Sequence, residues 1–217
     1  MSGIRLVMDH LVVGALTLEQ GVEYVRDVLG VEMPAGGKHP SMGTHNRLMR
    51  VGEGVFLEII AVDPDAGPPG RRRWFALDDP AMAARLQRRP GLIAWVAGTT
   101  ELEASLRRCP EDLGRPVEVR RDDLHWRIAV RDDGAIPGEG ALPILIRWPD
   151  GPHPSASMTD LGIRLVRLRV GHPKPERITA CLSALGGEGL VDVTRTDGAP
   201  GLDAEFRLAD GTVRTLD

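Results

Sequence analysis

The sequence predicts an α+β fold assembled from repeated βαβββ modules. Three observations predict it. Apolar, β-branched runs alternate with capped amphipathic helices, the same order of elements occurs three times, and 217 residues at 42% hydrophobic content are enough for one good core or two small ones.

The first module spans residues 6–63 and opens with "LVMDHLVVG", Leu6 to Gly14, whose composition reads as a strand. Thr17 can cap the helix that follows, with Gln20 three residues on. Leu18, Val22, Val25 and Leu29 then recur at helical spacing until Gly30 stops it. A Gly- and Pro-rich stretch, Met33 to Gly43, leads to "THNRLMRV" and "VFLEIIAV", two strand-like runs joined through Gly52, Glu53 and Gly54 as a hairpin. The order is β, α, loop or strand, β, β.

The second module, residues 91–150, repeats it with "LIAWVAG", the helix "TELEASLRRC", then "RPVEVRR", "HWRIAVRDDG" and "LPILIRWPDG". A third, residues 160–217, runs from "RLVRLRVG" through the helix "PERITACLSALG" to "LVDVTRT", "LDAEFRLADG" and "TVRTLD", and the chain stops where a fourth strand is due. "HNRL" at 45–48 answers "HWRI" at 125–128, and "LVVG" answers "LRVG". The expected division is therefore 1–151, holding two paired modules, and 160–217, holding the third. Asp63 to Pro90, with a short helical stretch at Ala81 to Arg88, and Asp150 to Asp160, with His153 between two prolines, read as linkers.

Composition narrows the function. Net charge is −4 with a pI near 5.9, and the basic run Arg71 to Arg73 is met almost at once by Asp78 and Asp79, so no continuous footprint for nucleic acid exists. No leader pattern stands near Met1, and no apolar run approaches the roughly 20 residues that span a bilayer. A protein of the cytoplasm with no membrane partner is expected. The only cysteines, Cys109 and Cys181, have no CxxC spacing and read as buried, inert thiols. The "GxG" patterns at 52–54 and 138–140 lack the helix and lysine of a phosphate site, which excludes a nucleotide cofactor, and no G-x-S-x-G elbow supports a serine nucleophile. Trp95, Trp126 and Trp148 fall in strands, where core packing is the default.

The segments "MDHLVV", "GGKHPSMGTHN", "VFLEIIAVDP" and "RRWFALD" resemble the glyoxalase-like domain branch of the vicinal-oxygen-chelate superfamily, over roughly residues 8 to 150. The resemblance implies paired modules forming curved mixed sheets around a cup-shaped pocket. It also implies a divalent ion (Zn, Fe, Mn or Ni) held from first and last strands, and a substrate that chelates it through neighbouring oxygens. By position, His10 and Glu58 match the metal ligands. Modules one and two are expected to form the cup, with one and three as the rival pairing.

The sequence departs from that pattern. Module two offers Ala94 and Arg147 at the ligand positions, and module three Arg167 and Thr215. Other histidines could complete a site, chiefly His39 and His45, or His125 as the repeat partner of His45. The candidate assignment is His10 and Glu58 for metal, His45 and Glu58 for catalysis, and His39, Asn46 and Arg147 for ligand binding. Arg147 facing the cup would pair with a ligand carboxylate or phosphate; an outward arginine alternating with core residues is the other reading. Likewise, His10 and Glu58 are either metal ligands or a buried, hydrogen-bonded polar pair. Two functions follow: a metal-assisted lyase, isomerase or dioxygenase acting on a small oxygen-rich metabolite, or a small-molecule binder without catalysis. Open sheet edges on an odd module lead us to expect a homodimer.

Overall fold

Strand β1 (Val7–Gly14) joins the two modules, because it pairs in parallel with β4 (Val55–Val62) and antiparallel with β5 (Gly91–Gly98). Both β5 and most of β1 are buried on both faces, which is why they read as continuous apolar runs rather than alternating ones. The computed structural model describes residues 4–121 and 124–217. With β2 (Ala35–His39), β3 (Thr44–Gly52), β6 (Arg115–Arg121), β7 (Leu124–Val130) and β8 (Ile144–Arg147), a single sheet of eight strands results, in the order β2-β3-β4-β1-β5-β8-β7-β6. Each module follows the same path within it, first strand beside last. The sheet curves until its outer strands β2 and β6 approach one another.

Local signals place the helices. Thr17 Oγ1 accepts the Gln20 amide at the start of α1 (Leu18–Leu29), and Gly30 closes it at φ 71°. The buried face of α1 is Leu18, Gly21, Val25 and Leu29, with Val22 only half-buried. Gly21 is there because a Cβ at that position would stand 2.4 Å from Ile59. Helix α3 (Leu102–Arg108) occupies the equivalent place in module two, and α2 (Pro80–Arg88), capped by Asp79, lies in the first linker.

The curved sheet separates two cores. On the convex side Leu11, Leu57, Ile59 and Trp95 pack with α1, α3 and the C-terminal unit. On the concave side Val12, Ile60, Val96, Ile128 and Ile146 meet Trp74, Phe75 and Leu86 from the first linker. Each such fully buried side chain contributes about 1.5–3 kcal/mol of burial. Among the described residues no helix is long and apolar enough to cross a membrane.

The C-terminal unit keeps the element order of a module but not its path. Its strands β9 (Arg164–His172), β10 (Asp192–Arg195), β11 (Gly201–Arg207) and β12 (Val213–Leu216) run in the order β10-β9-β11-β12, with α4 (Pro175–Ala184) crossing from β9 to β10. The crossover sets β10 parallel against β9, so β11 must take the other edge and β12 is left outermost. The register that equates Arg167 and Thr215 with ligand positions therefore fails. Arg167 and Arg169 instead form cross-strand ion pairs with Glu205 and Asp203 on an outward face. Leu168, Val170 and Phe206 pack inward. The end of the chain locks against both modules, through the Tyr24 hydroxyl (3.0 Å) and the Leu92 N–H (2.9 Å), which both donate to the Asp217 carbonyl, and against the first linker through Arg89 pairing with the Asp217 carboxylate (2.7 Å).

Cys109 and Cys181 are not free thiols. They form a disulfide, with Cα atoms 5.5 Å apart, linking the end of α3 to α4. The spacing conceals this because the two residues meet only when the C-terminal unit docks on module two, beside the Arg177–Glu111 ion pair. Reduction is expected to lower the unfolding free energy by up to about 4 kcal/mol, the loop entropy for a separation of 72 residues. Urea midpoints with and without reductant measure it; coincident midpoints for a protein whose two thiols titrate as free would show that packing alone holds the unit.

Candidate functional site

The site begins with an irregularity in β1. Its register with β5 runs Met8↔Ala97 and then His10↔Val96, leaving Asp9 as an extra, bulged residue. Neighbours in a regular strand point to opposite faces; here Asp9 and His10 are both buried, at 2% and 4% exposure, and His10 Nδ1 donates to Asp9 Oδ1 at 2.5 Å. The other Asp9 oxygen accepts from Trp148 Nε1 (2.8 Å) and from His153 Nε2 (3.2 Å). That tautomer of His153 follows from its Nδ1, which accepts the Ser155 amide. Burial opposes ionisation of Asp9, yet the hydrogen bonds from His10 and His153 outweigh it and hold its pKa below the ordinary value.

Glu58 stands on β4 opposite Val12, two residues beyond Phe56, the register partner of His10. Side chains two apart share a face, so His10 and Glu58 converge on the concave surface, with His10 Nε2 3.7 Å from Glu58 Oε2. The His10 ring stacks on Phe56, centroids 4.4 Å apart and nearly parallel. Asn46 on β3 completes the polar end. Its Oδ1 accepts from the Gly37 amide (2.8 Å) and from Arg121 (3.2 Å), which fixes the amide orientation and aims Nδ2 at Glu58 Oε1 (2.7 Å) and at His39 Nε2 (3.4 Å). His39 then donates from Nδ1 to Thr44 Oγ1 (3.1 Å), which also receives the Trp74 indole N–H. Burial is the main reason that His39 titrates only at about 3, with positive charge at Arg121 and His10 adding to it. Burial likewise raises the pKa of Glu58, partly offset by His10 and Asn46.

Of these groups His10, His39, Asn46, Glu58 and Arg121 line one cavity of about 40 Å³. Phe56, Trp126, Ile128, Ile146 and Trp148 form its apolar wall, and Pro154 and Met158, from the strap between β8 and β9, close over it. His39, Asn46 and Glu58 lie in the cup with His10. His45 and Arg147 do not. His45 alternates with Asn46 along β3 and so faces the α1 side, and Arg147 alternates with Ile146 and is exposed beside Arg127. His125 is exposed as well. Three residues that the sequence did not mark as part of a site are central: Asp9, Arg121 and His153. The one available cue was the polar pair "DH" inside an apolar strand. Nothing in "RPVEVRR" distinguishes Arg121 from its neighbours, and Trp148, expected as core, lines the cup.

A divalent ion would find two side-chain donors here, His10 Nε2 and Glu58 Oε2. Among the described residues no three His, Cys, Asp or Glu side chains are arranged to hold a metal ion, and the matching walls from module two are Ala94, Val96 and Ile146. A catalytic metal site uses three protein ligands. The donor set does not fit a resident ion.

Residues 8–186 match the model of a glyoxalase-like domain. No curated protein matches the chain. Among solved structures, a hypothetical protein from Staphylococcus aureus superposes over 97% of this chain and 85% of its own, at TM-score 0.59 and 15% identity. A variant of Streptomyces coelicolor methylmalonyl-CoA epimerase in complex with 2-nitronate-propionyl-CoA aligns over 70% of this chain and 100% of its own (TM-score 0.45, 15% identity). The epimerase from Mycobacterium tuberculosis aligns over 72% and 97% (TM-score 0.42, 19% identity).

The neutral His39 has a measurable consequence. Between about pH 6.5 and 3 the unfolded chain takes up a proton that the folded chain refuses. The stability contributed by keeping His39 neutral is thus complete above pH 6.5 and is lost as pH falls. His39→Gln is expected to flatten the stability–pH curve in that window by about one proton, read from urea unfolding at several pH values. Parallel curves would show that His39 protonates as readily folded as unfolded.

Proposed function

The chain belongs to the glyoxalase-like domain family, and on that premise we propose that its cup holds a small oxygen-bearing metabolite and moves a proton on it through His10 and Glu58. The observation that carries this reading is the line Asp9, His10, Glu58, whose last two members face one cavity. Asp9 keeps a proton on His10 Nδ1 and so presents Nε2 to the cup. The 3.7 Å between Nε2 and Glu58 Oε2 is too long for a hydrogen bond and short enough for one ligand group to face both. Stacking on Phe56 holds the imidazole plane, and Asn46 holds Glu58. A carboxyl group whose pKa burial has raised, beside an oriented imidazole, is suited to take a proton from a carbon next to a carbonyl and return it elsewhere. The reaction class is isomerisation or elimination by proton transfer.

The second reading is a binder without catalysis. It is favoured by the strap, which covers a cavity of only about 40 Å³. Deuterium incorporation from D2O into small carbonyl compounds, followed by NMR, separates the two. Exchange accelerated by the wild type and lowered about 10²- to 10⁴-fold in His10→Gln and in Glu58→Gln, at unchanged melting temperature, is the expected result. Saturable quenching of tryptophan fluorescence by the same compounds with no exchange would leave the binder.

Metal content is checked separately. Protein purified without chelator is expected to carry less than one equivalent of Zn, Fe, Mn and Ni combined, with no change in His10→Ala. One full equivalent that the variant loses would overturn the metal-free reading.

A further inference from the structure

Taking the cup as a small-molecule site, as the reading above does, we infer that its ligand is a small monocarboxylate whose carboxylate docks on Arg121. Arg121 ends β6, the strand at one edge of the sheet, yet its guanidinium lines the cavity and donates to Asn46 on β3, 75 residues earlier. The path it takes is built into the opposite edge. A Cβ at Gly37 of β2 would stand 2.6 Å from Arg121 Cδ, and one at Gly36 would stand 2.1 Å from the Asn46 carbonyl oxygen. Gly37 therefore leaves the space the arginine side chain crosses to reach the cup, while Gly36 lets β2 lie close against Asn46 of β3.

The charges in the cavity point to the ligand. Both oxygens of Asp9 are engaged, by His10 on one side and by Trp148 and His153 on the other, and Asn46 holds Glu58. Arg121 donates to Asn46 rather than to Glu58. A guanidinium has five N–H donors in a planar fork, the geometry that matches a carboxylate. Glu58 in the cup and Asp9 behind His10 repel a dianion more than a monoanion, which favours carboxylate over phosphate. At about 40 Å³ the cavity admits only a short acid unless the strap lifts. With its carboxylate on Arg121, such an acid places its remaining oxygen function towards His10 and Glu58.

The alternative is that Arg121 only clasps the two sheet edges. Calorimetry on the full chain, supported by tryptophan fluorescence, with pyruvate, lactate, the neutral partners hydroxyacetone and lactamide, and inorganic phosphate, decides. Pyruvate or lactate is expected to bind saturably and at least about tenfold more tightly than its neutral partner. Arg121→Met should lose about ten- to a hundredfold in affinity at an unchanged melting temperature. Arg121→Lys, which keeps a cation but not the fork, should fall between, and it decides the matter if Arg121→Met does not fold. Equal binding of acids and neutral partners, a preference for phosphate, or undiminished affinity in the variants overturns the carboxylate assignment. If only the neutral compounds bind, the cup as a small-molecule site still stands; if no compound binds at all, both fall.

Discussion

The bulge at Asp9 is the constraint on which the site depends. β1 is the seam between the two modules, paired on both sides and buried, so any polar residue in it must find partners or be costly. One extra residue in the β1–β5 register turns Asp9 to the side of His10. There its carboxylate gathers three donors, from β1 itself, from Trp148 just after β8, and from His153 on the strap. The same group thus orients the imidazole, anchors the wall of the cup and holds the segment that covers it.

The two modules share a path through the sheet but divide the work of the cup. Module one supplies His10, His39, Asn46 and Glu58, with Asp9 behind His10, whereas module two supplies Trp126, Ile128, Ile146 and Trp148, with Arg121 reaching back across the joined edges. The polar groups are buried, where hydrogen bonds and charges act at lower dielectric. That setting accounts for the opposite displacements of the three titrating groups: burial dominates at His39 and Glu58, and hydrogen bonds dominate at Asp9.

The C-terminal unit shows how far a repeated order of elements can mislead. Its strand, helix and three strands follow one another as in a module, but the parallel crossover through α4 rearranges them into β10-β9-β11-β12. The outward face becomes a ladder of ion pairs instead of a second cup, and the disulfide joins α4 to module two. Element order is a local property, set by apolar period, caps and breakers. Which strands become neighbours depends on contacts between segments far apart in the chain.

By itself the sequence determined the elements of the fold and one face of the site. The Thr17 cap, the Gly30 stop, the Gly54 turn and the runs of β1, β4 and β5 are decided within a few residues, and alternation along β4 sets Phe56 and Glu58 on one face. Tertiary structure alone decided the rest. A bulge is invisible in a string of letters, and so was the pairing of Asp9 with His10. Arg147 and Arg121 are both arginines on strands; only the curvature that brings β6 against β2 puts one in the cup and the other in solvent. Cys109 and Cys181 became partners for the same reason, because distance along the chain says nothing of distance in space once non-local packing sets the fold.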